Sequence, residues 1–121
     1  MSARHLAGVA AAGIALLGAV PAQAAVPDKA TVRIYDNYFL EDRLTVEQGA
    51  RITWRWPGAE ASGDVHDVKL KSGPKGARRF HSEAAATDYR YRRRLRKAGR
   101  YRIVCTLHEE MRMTIRVKRR R

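Results

Sequence analysis

Residues 99–117, "GRYRIVCTLHEEMRMTIRV", decide the fold and contain the only cysteine of the chain. Apolar residues alternate with polar ones on both sides of the "TLHEE" segment, which predicts two adjacent β-strands joined by a tight loop. Cys105, His108 and Met111 are spaced three residues apart and fall in this loop. A loop of this kind can direct a thiol, an imidazole and a thioether toward one point.

The same period of two extends upstream through most of the chain, and turn residues such as Gln48-Gly49 and Ala98-Gly99 separate the runs. About seven short strands at this spacing predict a single all-β domain, an antiparallel β-sandwich or barrel. Each upstream run places apolar residues on one face: Val32 and Ile34; Leu44 and Val46; Ile52, Trp54 and Trp56; His66, Val68 and Leu70; Tyr89, Tyr91 and Leu95.

The first 24 residues are predicted to form a signal peptide. Arg4 precedes an apolar run over residues 6–20, and Ala22-Gln23-Ala24 has the small-x-small pattern of a cleavage site. A transmembrane helix needs roughly 20 apolar residues, so an uncleaved anchor is the weaker alternative. We therefore expect an exported protein, either periplasmic or extracellular at the cell envelope, with a domain at 25–117 and a basic tail at 118–121.

An odd cysteine in an exported protein indicates an intermolecular disulfide, a reactive thiol or a metal thiolate. Thiolate, imidazole and thioether together are typical of a type 1 copper site, which has two histidines, one cysteine and a weak axial methionine. A zinc site would favour a harder donor over the thioether. The second histidine must come from elsewhere: His66 shares the inward face of its run, whereas His81 is expected to be solvent-exposed.

These segments resemble the cupredoxin family of plastocyanin, pseudoazurin and amicyanin. "GRYRIVCTLHEEM" followed by "RMTIRV" is similar to its closing motif, Gly-x-Tyr-x-x-x-Cys-x-x-His-x-x-Met with a last strand. "HDV" at 66–68 and "LTVEQGARITWRW" at 44–56 are similar to upstream family segments. The resemblance implies a Greek-key β-sandwich with one copper ion held by His66, Cys105, His108 and Met111. Met113 is a rival for the axial position.

The resemblance also implies a function, that of a carrier of single electrons through Cu(I)/Cu(II) cycling, with His108 as the exposed ligand. It does not imply an enzyme, because an oxidase or nitrite reductase needs further copper sites built from histidine. The alternative is a copper carrier or scavenger without a dedicated redox partner. Two departures from the family concern the surroundings of the site. Trp56 occupies the position of an asparagine that often braces the cysteine loop, so Thr106 is expected to lack this partner, and Glu109 and Glu110 replace apolar or proline residues.

The formal net charge of +13 favours anionic partners. Arginines at positions 90, 92, 94 and 96 are predicted to form one solvent-facing strand face, and "KRRR" ends the chain. We expect a monomer whose redox partner has an acidic docking surface, and an anionic cell-envelope surface is a second candidate. Specific nucleic-acid binding is not expected, because the aromatic residues alternate as core residues and form no stacking platform.

Overall fold

The computed structural model describes residues 25–61 and 63–121, together with Gly8, Gly13 and Gly18. The predicted signal peptide therefore lies, apart from these glycines, outside the described residues. Among the described residues, no helix is long and apolar enough to cross a membrane. The strands are β1 (Lys29–Tyr35), β2 (Tyr38–Phe39), β3 (Arg43–Glu47), β4 (Ala50–Arg55), β5 (Lys69–Ser72), β6 (Arg90–Leu95), β7 (Gly99–Cys105) and β8 (His108–Lys118), and a 3₁₀ turn spans Ala59–Ala61.

The eight strands form two four-stranded sheets, in the orders β2-β1-β4-β6 and β3-β8-β7-β5. This confirms the predicted all-β, single-domain sandwich. The chain crosses to the second sheet after β2 and returns to the first after β3. Two pairs of distant strands, β1 with β4 and β3 with β8, run parallel. These two parallel pairs are a difference from the wholly antiparallel arrangement that the sequence predicts.

The inward-facing residues of both sheets form one core, as the period of two predicts. At its centre, Trp54 is fully buried, and its ring lies 5.8 Å from that of Phe80 and 6.0 Å from that of Tyr91. Other fully buried side chains from both sheets are Ile34, Val46, Ile52, Leu70, Ile103 and Ile115. This rigid core underlies the end of the sandwich where β7 turns into β8.

The outward-facing positions are dominated by arginine. On β6, the residues at 90, 92, 93 and 94 are exposed whereas Tyr91 and Leu95 are buried, which confirms the predicted basic strand face. This strand lies at the edge of its sheet, where charged side chains discourage pairing with another chain. Across the β4–β6 pair, Arg51 lies opposite Arg94 and Arg55 lies opposite Arg90, so like charges face each other directly.

Candidate metal centre

An irregularity in the β7–β8 hairpin brings two candidate ligands beside the cysteine. Val104 pairs with Arg112, and the regular register extended by one residue would place Cys105 opposite Met111. The register shifts at this point, so that Cys105 pairs with His108 instead. The predicted loop is thus a two-residue turn, and both His108 and Met111 belong to β8. Because of the shift, His108 and Met111 both lie near Cys105.

The third candidate ligand, His66, is held by its backbone just before β5. It exchanges two hydrogen bonds with Ala85, at 2.9 and 3.0 Å between nitrogen and oxygen, and its carbonyl accepts a 3.2 Å hydrogen bond from Trp56 Nε1. Its side chain is buried. The inward orientation predicted for His66 is therefore confirmed, and three fixed contacts aim its ring at the β7–β8 turn.

The donor atoms of His66, Cys105 and His108 converge within 4.8 Å of one another. Cys105 Sγ lies 4.0 Å from His66 Nδ1 and 3.6 Å from His108 Nδ1, and the two imidazole rings lie 4.7 Å apart. Both histidines thus present the same ring nitrogen to the sulfur. Two imidazole nitrogens and one thiolate in this arrangement are the equatorial donors of a type 1 copper site.

The other ring nitrogen of each histidine lies beside a carboxylate. His66 Nε2 donates a 3.1 Å hydrogen bond to Asp36, and His108 Nε2 lies 3.6 Å from a carboxylate oxygen of Asp64. The hydrogen bond from His66 lowers the pKa of Asp36. Metal-binding histidines are commonly oriented by such carboxylates, which fix the tautomer and leave the other nitrogen free for the metal. The arrangement leaves both Nδ1 atoms available.

Neither carboxylate was singled out from the sequence. Asp64 stands two residues before His66 in "GDVHDV", and this short spacing could have indicated that Asp64 lies near the site. Asp36 lies in the turn between β1 and β2, 30 residues from His66, and only the folded chain brings the two together. Gly63 makes room for this contact, because a Cβ atom at its position would overlap an Asp36 carboxylate oxygen.

The expectation that Thr106 lacks a bracing partner is wrong. Asp67, the residue after His66, accepts hydrogen bonds from Thr106 N at 2.7 Å and from Thr106 Oγ1 at 2.5 Å. Burial alone would raise the pKa of Asp67, but hydrogen bonds from His81 and Thr106 outweigh it and hold the pKa below its usual value. The resemblance to the family implies the brace at position 56, whereas the strand register places it at Asp67.

His81 is half-exposed and lies outside the donor cluster, as the sequence predicts. Its ring nonetheless has a defined partner, because Nε2 donates a 2.7 Å hydrogen bond to Asp67. His81 is therefore connected to Thr106 through Asp67, and Thr106 is bonded directly to Cys105 in the chain. This link was not predicted, since His81 and Asp67 are 14 residues apart in the sequence.

The two methionines of β8 differ in their surroundings. Both are buried, but Met113 Sδ accepts a 3.4 Å hydrogen bond from Trp54 Nε1 in the core. Met111 lies on the β8 position that the regular register would place opposite Cys105. These contacts favour Met111 over Met113 as the thioether donor.

Burial raises the pKa of the Cys105 thiol, and the nearby Asp67 charge adds to this effect. Without a metal the thiol is therefore protonated at neutral pH. A bound metal ion reverses this, because a coordinating thiol loses its proton. Binding at this centre should therefore release a proton and weaken in acid.

The chain resembles solved structures of copper proteins. Amicyanin from Paracoccus versutus is 26% identical, with 78% of this chain and 86% of that chain covered and a TM-score of 0.62. A variant of amicyanin in its reduced Cu(I) form at pH 4 is 25% identical, with 80% and 85% covered and a TM-score of 0.61. The copper-containing nitrite reductase of Thermus scotoductus SA-01 is 27% identical over 83% of this chain but only 24% of its own, with a TM-score of 0.61.

No protein-family model and no curated protein sequence matches the chain. The likeness therefore rests on structure, together with the donor geometry. Cys105, both histidines and the neighbouring Met111 fit a single type 1 copper site.

Proposed function

The chain has the cupredoxin fold, and from this premise we propose that it is a blue copper protein that carries single electrons. Its metal ligands in this proposal are His66, Cys105, His108 and Met111. The observation that carries the proposal is the convergence of two Nδ1 atoms on one buried sulfur, at 4.0 and 3.6 Å, at one end of a rigid sandwich.

The bound copper supplies a one-electron couple, Cu(I)/Cu(II). The chain supplies donors that suit both oxidation states, since thiolate and thioether are soft whereas imidazole accepts either state. Cys105 and His108 are fixed by the hairpin, and His66 is fixed by Ala85 and Trp56. Donors held in this way need little rearrangement when the charge of the metal changes.

The exposed side of the centre is the β7–β8 turn. The His108 side chain is 19% exposed, whereas that of His66 is only 2% exposed. Leu107, next to His108, is half-exposed and offers an apolar contact. We propose that electrons enter or leave through His108, and that a partner protein approaches this end of the sandwich.

The proposed setting is outside the cytoplasm, either in the periplasm or at the cell envelope. Cleavage after Ala24 would leave the domain at 25–117 and the basic tail at 118–121. The protein would act as a monomer and meet a redox partner that has an acidic docking surface, or associate with an anionic envelope surface. The arginines on the outer faces of both sheets support this steering role, since a large net charge speeds encounter with an opposite charge.

The number of candidate metal centres favours an electron carrier over an enzyme. Among residues 25–61 and 63–121, one group of histidine, cysteine and acidic residues has metal-binding geometry. The chain spans 24% of the nitrite reductase that it resembles, so the likeness covers only one part of that enzyme. Transfer of a single electron requires a single centre.

The test is a visible absorption spectrum after one equivalent of Cu(II) is added, with Cys105→Ser as the matched variant. We expect an intense blue band from thiolate-to-copper charge transfer in the wild type and none in the variant. Repeated chemical oxidation and reduction should bleach and restore the band without loss of copper. A colourless wild-type product would refute the proposal, and copper loss on each reduction would favour the carrier or scavenger alternative.

The axial position is tested by a matched pair of variants on β8. Met111→Leu should raise the reduction potential and alter the blue band, because it removes a thioether donor from the site. Met113→Leu should leave both unchanged, because its sulfur faces Trp54. The reverse result would assign Met113 as the axial ligand.

A further inference from the structure

One buried carboxylate connects the metal centre to a solvent-exposed histidine. Asp67 Oδ1 accepts from Thr106 N at 2.7 Å, and Oδ2 accepts from Thr106 Oγ1 at 2.5 Å and from His81 Nε2 at 2.7 Å. Thr106 follows Cys105 directly in the chain. The contacts therefore run without a gap from the proposed thiolate ligand to the surface.

Strand register builds this connection. Lys69 pairs with Val104 on β7, and the same register extended by two residues places Asp67 opposite Thr106. On its other side Lys69 pairs with His81, so that His81 lies diagonally across from Asp67 on the same face. The contact thus follows from the backbone pairing on the two sides of Lys69.

The segment that carries His81 is anchored on both sides of the ring. Leu70 N donates to the Phe80 carbonyl at 3.0 Å, and Ser82 N donates to the Val68 carbonyl at 2.8 Å. Ser82 Oγ also accepts a 2.8 Å hydrogen bond from Val68 N. These bonds hold the His81 ring beside Asp67 while leaving the side chain 49% exposed.

The hydrogen bond between His81 and Asp67 stabilises a buried negative charge. Asp67 is 3% exposed, and an ionised carboxylate at such a position is unfavourable unless it is paired and hydrogen-bonded. Its side-chain partners among the described residues are Thr106, which is neutral, and His81, which can carry a positive charge. His81 is therefore the group that can offset the negative charge beside Cys105.

We propose that His81 is a positioning residue of the metal centre, which acts through Asp67 on Thr106 and Cys105 and sets the reduction potential. This inference rests on the proposed copper function. The Asp67 charge stabilises the more positive Cu(II) state and so lowers the potential. A protonated His81 offsets that charge and raises the potential, whereas a neutral His81 leaves the lower value.

Few other charged groups face His81. Lys69 lies on β5 and Asp67 lies two residues before it. Arg79 and Glu83 lie two residues from His81 on its own segment, and the Tyr91 hydroxyl lies beside the His81 backbone. Among them Asp67 alone hydrogen-bonds the ring. Lys69 provides the matched control, because it is a cation directly opposite His81 whose ammonium makes no hydrogen bond to Asp67 among the described contacts.

The experiment measures reduction potential against pH for the copper-loaded wild type, His81→Gln and Lys69→Gln. Glutamine keeps an N–H donor but cannot be protonated. We expect a step to lower potential as the pH rises and His81 loses its proton. The step should be lost in His81→Gln and retained in Lys69→Gln. A step that persists in both variants does not belong to His81 and would overturn the inference.

A second measurement needs no variant. By thermodynamic linkage, if a proton on His81 disfavours the more positive metal state, that metal state must disfavour the proton by the same free energy. At one pH, the NMR signals of the His81 ring should therefore show less protonation in the Zn(II) form, a diamagnetic stand-in for the dipositive state, than in the Cu(I) form. Equal protonation in the two forms would contradict the inference.

Failure of the inference and failure of the proposed function give different results. The absorption spectrum of the wild type is read first, and absence of the blue band would refute both. A blue band with identical pH profiles in the wild type and His81→Gln would refute the role of His81 alone.

Discussion

Asp67 bears more contacts than any other acidic residue of the site. It is buried, and three hydrogen bonds from Thr106 and His81 end on its two oxygens. Because hydrogen bonds to an ionised carboxylate are stronger than neutral ones, the residue contributes to stability as well as to the centre. Its effect on the fold can be measured in the metal-free protein.

We expect Asp67→Ala to lower the free energy of unfolding of the metal-free protein by about 3 kcal/mol, since hydrogen bonds to charged groups contribute ~1.5–3 kcal/mol each and are not additive. Urea denaturation at neutral pH is the measurement. Glu83→Ala removes an exposed carboxylate near His81 and should change stability by less than about 0.5 kcal/mol. Equal effects of the two variants would show that the buried network contributes nothing.

Gly63 has a steric role at the same scale. A Cβ atom there would overlap the Asp36 carboxylate, so a larger residue must push that carboxylate away from His66. The side chain of Asp36 is 57% exposed and can move. The substitution should therefore loosen the histidine without damaging the core.

Gly63→Ala should weaken Cu(I) binding about tenfold, which is the usual scale for loss of a carboxylate that orients a metal-binding histidine. Competition with a Cu(I) chelator measures this affinity. In an Asp36→Ala background the same substitution should have no further effect, because the clashing carboxylate is gone. A full tenfold loss in that background would assign Gly63 a different role.

At the scale of the element, the β7–β8 hairpin makes the centre. A regular continuation of the register would place Met111 opposite Cys105, whereas the shift places His108 there. Pairing of β8 with both β3 and β7 holds the rest of the strand in register. The irregularity is therefore confined to the turn.

Insertion of one glycine between Leu107 and His108 should abolish the blue band while far-UV circular dichroism stays unchanged. The core residues of β8 resist a slip that would turn them outward, so the added residue must be absorbed at the turn, where it displaces His108. A glycine inserted between Lys75 and Gly76, in an exposed turn, is the control and should keep the band. Retention of the band in both proteins would mean that the turn tolerates a change in its length.

At the scale of the whole molecule, charge is distributed unevenly. Arginines lie opposite each other on neighbouring strands of both sheets. Arg51 pairs with Arg94 in one sheet, and Arg100 pairs with Arg116 in the other. Carboxylates gather at the metal end, where Asp36 and Asp64 adjoin the two histidines. The long-range field is that of a cation, whereas the immediate surroundings of the histidines are acidic.

Salt should therefore stabilise the fold. Raising NaCl from ~10 to ~200 mM should increase the free energy of unfolding of the metal-free protein by about 1 kcal/mol, because like charges directly opposite each other are screened. Urea denaturation at each ionic strength is the measurement. The increase should be smaller in Arg100→Gln than in Lys75→Gln, which removes a cation from an exposed turn. A decrease in stability with salt would show that attractive pairs dominate.

Much of this molecule could be predicted from residues that are close in sequence. The period of two identified the strands and their buried faces, and the Cys105–His108–Met111 spacing identified a metal centre, because these features depend on neighbouring residues. His66 could be chosen over His81 from the face of its strand. The shift in register, the parallel strand pairs and the two-residue strand β2 gave no comparable local signal.

The sequence by itself determined the all-β class, the position of the centre and the identity of its candidate donors. The tertiary structure alone decided what surrounds them: Asp36 and Asp64 on the histidines, and Asp67 with His81 behind Thr106. The physical reason is distance along the chain. Alternation of apolar residues reports which face is buried, but contacts between residues at least 14 positions apart depend on strand order and register, which only the folded sandwich sets.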